Sequence, residues 1–218
     1  MSQLQRVPEP EDDKIIRFAA LKAMLEEKFP DAIGQAQPDS AMEEGGLLPA
    51  GLLTEISGSS GSVSLLLHSL LNTGTTFAGL VDAANTFDPG EIGEEHQRRV
   101  LWVRCPGLGV AVQAVDMLLR DANLPMIVLD LRRTPARELR SVPASTWHRF
   151  QRILETGETA LGICTLQACI SAARLRWQLS HRWMLRDLLR PREELQTKVR
   201  IHAMRRGLAP ATVERRIA

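Results

Sequence analysis

The stretch that most constrains this 218-residue chain runs from Leu52 to Leu67 and reads LLTEISGSSGSVSLLL. A short apolar run leads into a glycine–serine turn and then into apolar residues at helical spacing, which predicts a strand, a tight turn and a helix. In that layout, the backbone N–H groups at the start of the helix can cradle phosphate groups. We therefore expect the chain to be organised around a phosphate loop or the remnant of one.

The turn departs from the G-x-x-x-x-G-K-[ST] pattern of phosphate loops. Only two residues separate its glycines, Ser62 stands at the lysine position, and Val63 stands at the hydroxyl position with Ser64 one place later. A tight turn that needs glycines is a sufficient structural role for the two glycines. The stretch is therefore a degenerate loop, in a nucleotide-hydrolase scaffold that has lost its nucleotide chemistry. Its residues are Gly58, Ser59, Ser60, Gly61 and Ser62.

Apolar strand-like runs alternate with helical patterns along the middle of the chain, which predicts an α/β fold with a mostly parallel sheet flanked by helices. The predicted strands are 52–57, 76–81, 100–104, 126–129 and 159–165, and the predicted helices are 62–72, 110–119 and 145–154. Two later segments, 175–179 and 199–203, alternate apolar and polar residues and are expected to extend the sheet in antiparallel fashion. Residues 182–195, between them, fit a helix or a ribbon equally well.

The sequence predicts four parts, namely an N-terminal segment (1–33), a linker (34–46), a core (47–181) and a basic extension (182–218) with a last strand at 197–203. The first part contains an amphipathic helix, whose apolar stripe comprises Ile15, Phe18, Leu21, Leu25 and Phe29. Glycine, proline and acidic residues in the linker separate this helix from the core. The helix therefore either packs on its own core or docks on a partner, and both interpretations remain open.

Charge is divided unevenly between the ends. Residues 1–46 hold five basic and ten acidic side chains, whereas residues 174–218 hold twelve basic and four acidic ones. The basic end suggests contact with DNA phosphates or with an acidic protein, and Trp183 among the arginines is a candidate interface residue. The candidate cations are Arg186, Arg190, Arg192, Lys198, Arg200, Arg205 and Arg206.

Three cysteines and five histidines are scattered without metal-ligand or catalytic spacing, so we expect no metal, no cofactor and no catalytic residue. No apolar run approaches the length of a membrane span, and no signal segment opens the chain. These features predict a cytoplasmic protein without a membrane partner.

Five segments, in order, resemble the core of bacterial RecA recombinases. They are GGLLPAGLLTEISGSSGSVSLLLHSLL around the loop, GLVDAANTFDP, MIVLDLR at the Walker B strand, ARLRWQLS and TKVRIHAMRRGLAP. The short length and the opening DDKIIRFAALKAMLEEKFPDA are most similar to the RecA-like ImuA family. That family acts with ImuB, a catalytically inactive Y-family polymerase relative, and an error-prone polymerase in damage-induced (SOS) translesion synthesis and mutagenesis.

The resemblance assigns the ATPase residues to positions that have lost them. The phosphate-binding lysine falls on Ser62, the glutamate that positions the attacking water falls on Ala84, and only Asp130 at the Walker B position remains. Asp130 either holds a metal ion weakly or caps backbone N–H groups at a strand end. Gln167 matches a nucleotide-sensing glutamine, and the DNA-binding loops are expected to be lost. The resemblance therefore implies a non-catalytic accessory protein that binds RecA, an ImuB-like protein or both.

Three alternatives remain open. The basic tail makes weak DNA binding one of them. A cell-division inhibitor of the SulA type, which shares a RecA-like core without ATPase residues, is the second. An ATPase with an unorthodox loop, using Lys198 or an arginine from a neighbour, is the third.

Overall fold

A computed structural model describes residues 47–73, 77–205 and 215–216, which form an α/β fold around a single sheet. The sheet has eight strands in the order β3-β2-β4-β5-β1-β6-β7-β8. They are β1 (Leu53–Ser57), β2 (Ala78–Asp82), β3 (Val100–Arg104), β4 (Met126–Asp130), β5 (Ala160–Thr165), β6 (Leu175–His181), β7 (Val199–Arg205) and β8 (Arg215–Arg216). The predicted class, a mostly parallel sheet flanked by helices with an antiparallel extension, is confirmed.

Six α-helices lie in the described part of the chain, and their order follows the predicted alternation. They are α1 (Ser60–Thr73), α2 (Glu94–Gln97), α3 (Leu108–Asp121), α4 (Ala136–Ser141), α5 (Ala144–Leu154) and α6 (Arg192–Gln196). Two short 3-10 helices, Pro89–Glu91 and Leu185–Leu189, complete the structure. The predicted N-terminal helix, with Ile15, Phe18, Leu21 and Leu25, lies outside the described residues, as does the linker.

Strands β1, β2 and β5 are buried along their whole length because helices cover both faces of the sheet. Helices α3 and α5 pack on one face, in an apolar cluster that contains Val115, Phe150 and alternate residues of the central strands. The buried side chains of α1, such as Val63 and Leu66, lie outside that cluster, which places α1 on the other face. The sheet therefore holds α1 and the turn before it against the carboxyl end of β1.

The expectation that 175–179 joins the sheet in antiparallel fashion is correct for its pairing with β7 and wrong for its other neighbour. Strand β6 runs parallel to β1, with Ile56 opposite Trp177. The connection after β5 carries the chain back to the start of β1, where the Arg174 N–H donates to the carbonyl of Leu53 at 3.1 Å. Alternation of apolar and polar residues indicates a half-buried strand but says nothing about its direction. Strand β7 is antiparallel to β6, as predicted for 199–203.

Three smaller differences concern connections. The segment between Asp130 and α5 contains helix α4. Residues 182–195 resolve into the 3-10 helix and most of α6. The strand predicted at 197–203 is β7, and it is not the last strand, because the two-residue β8 pairs with it.

Candidate functional site: the degenerate phosphate loop

The turn between β1 and α1 is as tight as the sequence predicts. A Cβ atom at Gly58 would lie 2.8 Å from the carbonyl oxygen of Leu179 on the neighbouring strand β6, so only glycine fits there. Ser59 caps α1, because its Oγ accepts the N–H of Ser62 at 3.3 Å and its carbonyl accepts the N–H of Val63 at 3.1 Å. The first turn of α1 therefore satisfies two of its own N–H groups.

The two positions that would hold the lysine and the hydroxyl group of a phosphate loop point into the protein. Ser62 is fully buried, and its Oγ donates to the carbonyl of Ser59 at 3.0 Å and lies 2.9 Å from the Ser59 Oγ. Val63 is also fully buried, as part of the α1 core face. Neither side chain faces a place where a phosphate group could bind.

Asp130, the last residue of β4, is bound by an arginine two residues later. Both side chains are almost completely buried, and the Arg132 guanidinium donates to both carboxylate oxygens of Asp130, with Nε at 2.9 Å from Oδ1. The Arg132 N–H donates to the same Oδ1 at 3.1 Å, and its Nη1 donates to the carbonyl of Ser60 at 3.0 Å. Arg132 thus joins the end of β4 to the first turn of α1.

Pairing with Asp130 keeps the Arg132 guanidinium protonated. Burial lowers the pKa of the Arg132 guanidinium, but the hydrogen bonds and the negative charge of Asp130 outweigh burial and raise the pKa above its usual value. The expectation that Asp130 caps backbone N–H groups is met by the N–H of Arg132, although the arginine side chain is its main partner.

A second group covers the turn from the other side. The rings of His181 and Trp183 stack with centroids 3.8 Å apart. The His181 Nε2 lies 3.0 Å from the Ser59 Oγ, and the Trp183 indole N–H donates to the carbonyl of Leu195 at 3.3 Å. A Cβ at Gly61 would lie only 3.0 Å from the Trp183 ring, so the indole packs directly against the glycine backbone.

The carboxylate at the end of the neighbouring strand β2 also binds groups within the protein. Asp82 is fully buried at the end of β2, opposite Asp130, and accepts the N–H groups of Ala84, Thr86 and Phe87 at 3.1, 2.8 and 2.9 Å. Ala84, at the position of the water-orienting glutamate, is exposed and carries no acid. Asp82 therefore shapes the turn after β2.

Sequence reasoning missed Glu55, a fully buried acid in the middle of β1. Its Oε1 accepts the N–H groups of Cys169 and Ile170 at 2.6 and 3.0 Å, and its Oε2 lies 3.0 Å from Nε of Arg176, although without the alignment of a hydrogen bond. The signal was present, since Glu55 is the one charged residue in the predicted buried strand, and a buried acid requires partners. Glu55 fixes the connection after β5 that carries the exposed Gln167.

The residues around the turn do not fit the phosphates of a nucleotide. A shallow depression of about 270 Å³ beside α1 is lined by Ser60, Gly61, Ser64, Thr86, Arg132 and Arg133. Its buried cation, Arg132, is already paired with Asp130, and the lysine and magnesium-binding hydroxyl that a phosphate loop supplies are replaced by buried groups. Within the described residues, no three His, Cys, Asp or Glu side chains form a group that could hold a metal ion.

The structure brings several of the candidate cations together in one cavity. Arg186, Arg190, Lys198 and Arg200 line one cavity, joined by Arg182. Arg192 lies on α6 and Arg205 is the last residue of β7, whereas Arg206 lies outside the described residues. Trp183, a candidate interface residue, is half-buried against the turn.

The chain matches no protein-family model and no curated protein. No helix in the described ranges is long and apolar enough to cross a membrane.

Replacing Asp130 with Asn should lower the free energy of unfolding by about 3–5 kcal/mol, because Arg132 is left buried without its counter-ion. Urea denaturation measures the change. Asp130→Leu combined with Arg132→Met should recover much of the loss, since both buried charges are removed. Asp116→Asn is the matched control, because Asp116 pairs with the exposed Arg120 and Arg149 and should cost less than 1 kcal/mol. A loss at Asp130 no larger than that at Asp116 would contradict the structural role.

The Cys169 thiol should react slowly with iodoacetamide. Cys169 is an exposed residue, but partial burial of its thiol, followed by the charge of Glu55 and a hydrogen bond to it, raises the pKa of Cys169 to about 11. At pH 8 its thiolate fraction is therefore about a hundredfold below that of an ordinary cysteine. The rate should rise with pH up to about pH 11, and Glu55→Gln should lower the pKa and speed the reaction. Cys105 and Cys164 are buried and serve as internal controls. Alkylation at the rate of an ordinary thiol would contradict this arrangement.

Proposed function

We propose that this chain is a non-catalytic, RecA-like accessory protein of the cytoplasm. In this proposal it binds the RecA recombinase, an ImuB-like Y-family protein, or both, during DNA-damage-induced translesion synthesis. The observation that carries the proposal is the binding of Asp130 by Arg132 at the end of β4, next to a covered turn. The sheet is intact, while the residues at the positions that would bind nucleotide in a RecA-like ATPase make contacts within the protein. This combination favours a protein that acts by binding partners through its surface.

The phosphoryl-transfer argument supports the non-catalytic part. That chemistry depends on positioning and charge stabilisation by a lysine, a metal ion and a water-orienting residue. In this chain, Ser62 is buried at the lysine position and Ala84 replaces the orienting acid. The RecA-like part of the proposal is supported by the five sequence segments. Four of them contain parallel strands of the sheet, and the fifth contains the antiparallel strand β7.

DNA binding is the second candidate function, and the cluster of cations around Arg186 and Arg190 favours it. Non-specific contacts of this kind weaken steeply with salt. A SulA-like inhibitor would instead block assembly of a tubulin-like filament protein, and the described residues offer no separate observation for that role.

The purified chain should bind the RecA or the ImuB-like protein of its own host, and the affinity should be the same with Mg-ATP, with Mg-ADP and without nucleotide. The reason is that Arg132 and Trp183 hold the turn in one arrangement, so the chain has no nucleotide-dependent state to switch. Biolayer interferometry with the immobilised chain measures the affinity. Nucleotide effects on RecA itself are separated by repeating the titration with RecA held in each nucleotide state.

An unrelated basic protein such as lysozyme controls for adsorption by charge. Failure of both partners to bind would overturn the proposal, and binding that requires ATP on this chain would overturn its non-catalytic part. Contacts should be mapped with point variants, because deleting 182–218 removes β7, whose Val199 and Ile201 are fully buried.

A further inference from the structure

The segment that follows Trp183 combines exposed apolar side chains with an excess of positive charge. Leu185 and Leu189, on the 3-10 helix, are 85 % and 91 % exposed, and Met184 is 60 % exposed. The adjoining cavity has a volume of about 500 Å³. We call these three apolar residues and the cations of the cavity the basic–apolar patch. The cations are Arg182, Arg186, Arg190, Lys198 and Arg200.

The cavity of the patch is lined by five cations and one acid. Its one acid, Asp187, pairs with Lys198 at 2.6 Å and with Arg190 at 3.3 Å, and Arg190 also reaches Glu194 at 2.9 Å. Arg182 and Arg186 form no ion pair with any residue that the structure describes. The patch therefore presents several positive charges that attract an anionic ligand.

The patch is held in a fixed shape before any ligand arrives. Asp187 is buried and accepts the N–H of Met184 at 2.8 Å, which closes the 3-10 helix on itself. The same carboxylate binds Lys198 from the segment that precedes β7. Trp183, immediately before the patch, is clamped between His181 and Gly61. Binding a ligand here should cost little conformational entropy, because hydrogen bonds already hold the backbone of this part of the surface in place.

The exposed leucines discriminate between anionic ligands. A nucleic-acid backbone gains nothing from Leu185 and Leu189, and the nearby aromatic ring, Trp183, is occupied by His181 and Gly61 and cannot stack a base. A protein segment can cover the leucines with apolar side chains and place carboxylates among the arginines. Arginine and methionine are enriched at protein interfaces, which agrees with this composition.

We propose that the basic–apolar patch binds an acidic, apolar-bearing segment of a partner protein. The carboxylates of that segment lie in the cavity beside Arg182 and Arg186, and its apolar side chains cover Leu185 and Leu189. This inference rests on the proposed function only for the premise that a protein partner exists. The chemistry of the ligand follows from the patch itself.

The first test uses fluorescently labelled peptides and therefore does not depend on the identity of the partner. The probe is a short synthetic peptide of glutamates with leucines at helical spacing, and its two controls replace either all glutamates with glutamine or all leucines with serine. We expect the acidic apolar peptide to bind the full chain and each control peptide to bind at least about tenfold more weakly.

Two variants of the chain locate the binding. Leu185→Ser with Leu189→Ser, and separately Arg182→Glu with Arg186→Glu, should each weaken peptide binding about tenfold or more. These side chains are exposed, so the fold should be unaffected. The matched controls lie elsewhere, namely Met117→Ser on α3, where Met117 is 71 % exposed, and Arg137→Glu with Arg140→Glu on α4. The controls should bind like the unchanged chain.

Absence of peptide binding, or equal binding by the leucine variant, would overturn the inference. It would also be overturned if a single-stranded oligonucleotide bound at physiological salt, competed with the peptide and depended on the arginines but not on the leucines. Repeating the variants against the host RecA and ImuB-like proteins separates the two proposals. If a host partner binds the leucine variant with unchanged affinity, the inference about the patch is wrong and the proposed function is unaffected. If the peptide binds the patch but neither host protein binds the chain, the inference about the patch holds and the proposed function is wrong.

Discussion

The buried ion pair of Asp130 and Arg132 is the interaction on which the rest of the site depends. Removing two charges from water is costly, and the cost is offset only when the pair is close and its remaining donors are satisfied. Here the guanidinium binds both oxygens of the carboxylate and gives a further N–H to the carbonyl of Ser60. The pair therefore ties the end of β4 to the start of α1.

The same principle governs the other acids near this edge of the sheet. Asp82 binds three backbone N–H groups after β2, and Glu55 binds two in the connection after β5. A parallel sheet gathers its strand ends at one edge, which is why acids there are so often catalytic. In this chain the carboxylates of Asp130, Asp82 and Glu55 each hold a neighbouring connection in place through hydrogen bonds. Trp183, delivered by the C-terminal extension, covers the turn that the acids surround.

Much of this was predictable from sequence and part was not. Strands β1 to β7 and the three longest helices, α1, α3 and α5, followed from apolar periodicity, and the tight turn followed from the spacing of Gly58 and Gly61. The parallel direction of β6 could not be predicted, because alternation of apolar and polar residues does not indicate which way a strand runs. The role of Arg132 depends on a side chain folding back on Asp130, and Trp183 reaches Gly61 from 122 residues away in sequence. Neither contact has a local signal. Glu55 had such a signal, because it is the only charged residue in the predicted buried strand.

The measurement that tests the central claim most directly is calorimetric titration of the full chain with Mg-ATP. We expect no saturable binding up to millimolar nucleotide, because Arg132 is bonded to Asp130 and to the Ser60 carbonyl and Trp183 packs against Gly61. Binding of one Mg-ATP per chain at micromolar affinity, lost on replacing Arg132 with Ala, would contradict it. Such a result would mean that the pair opens to accept phosphate, and the chain would then have to be regarded as a nucleotide-binding protein.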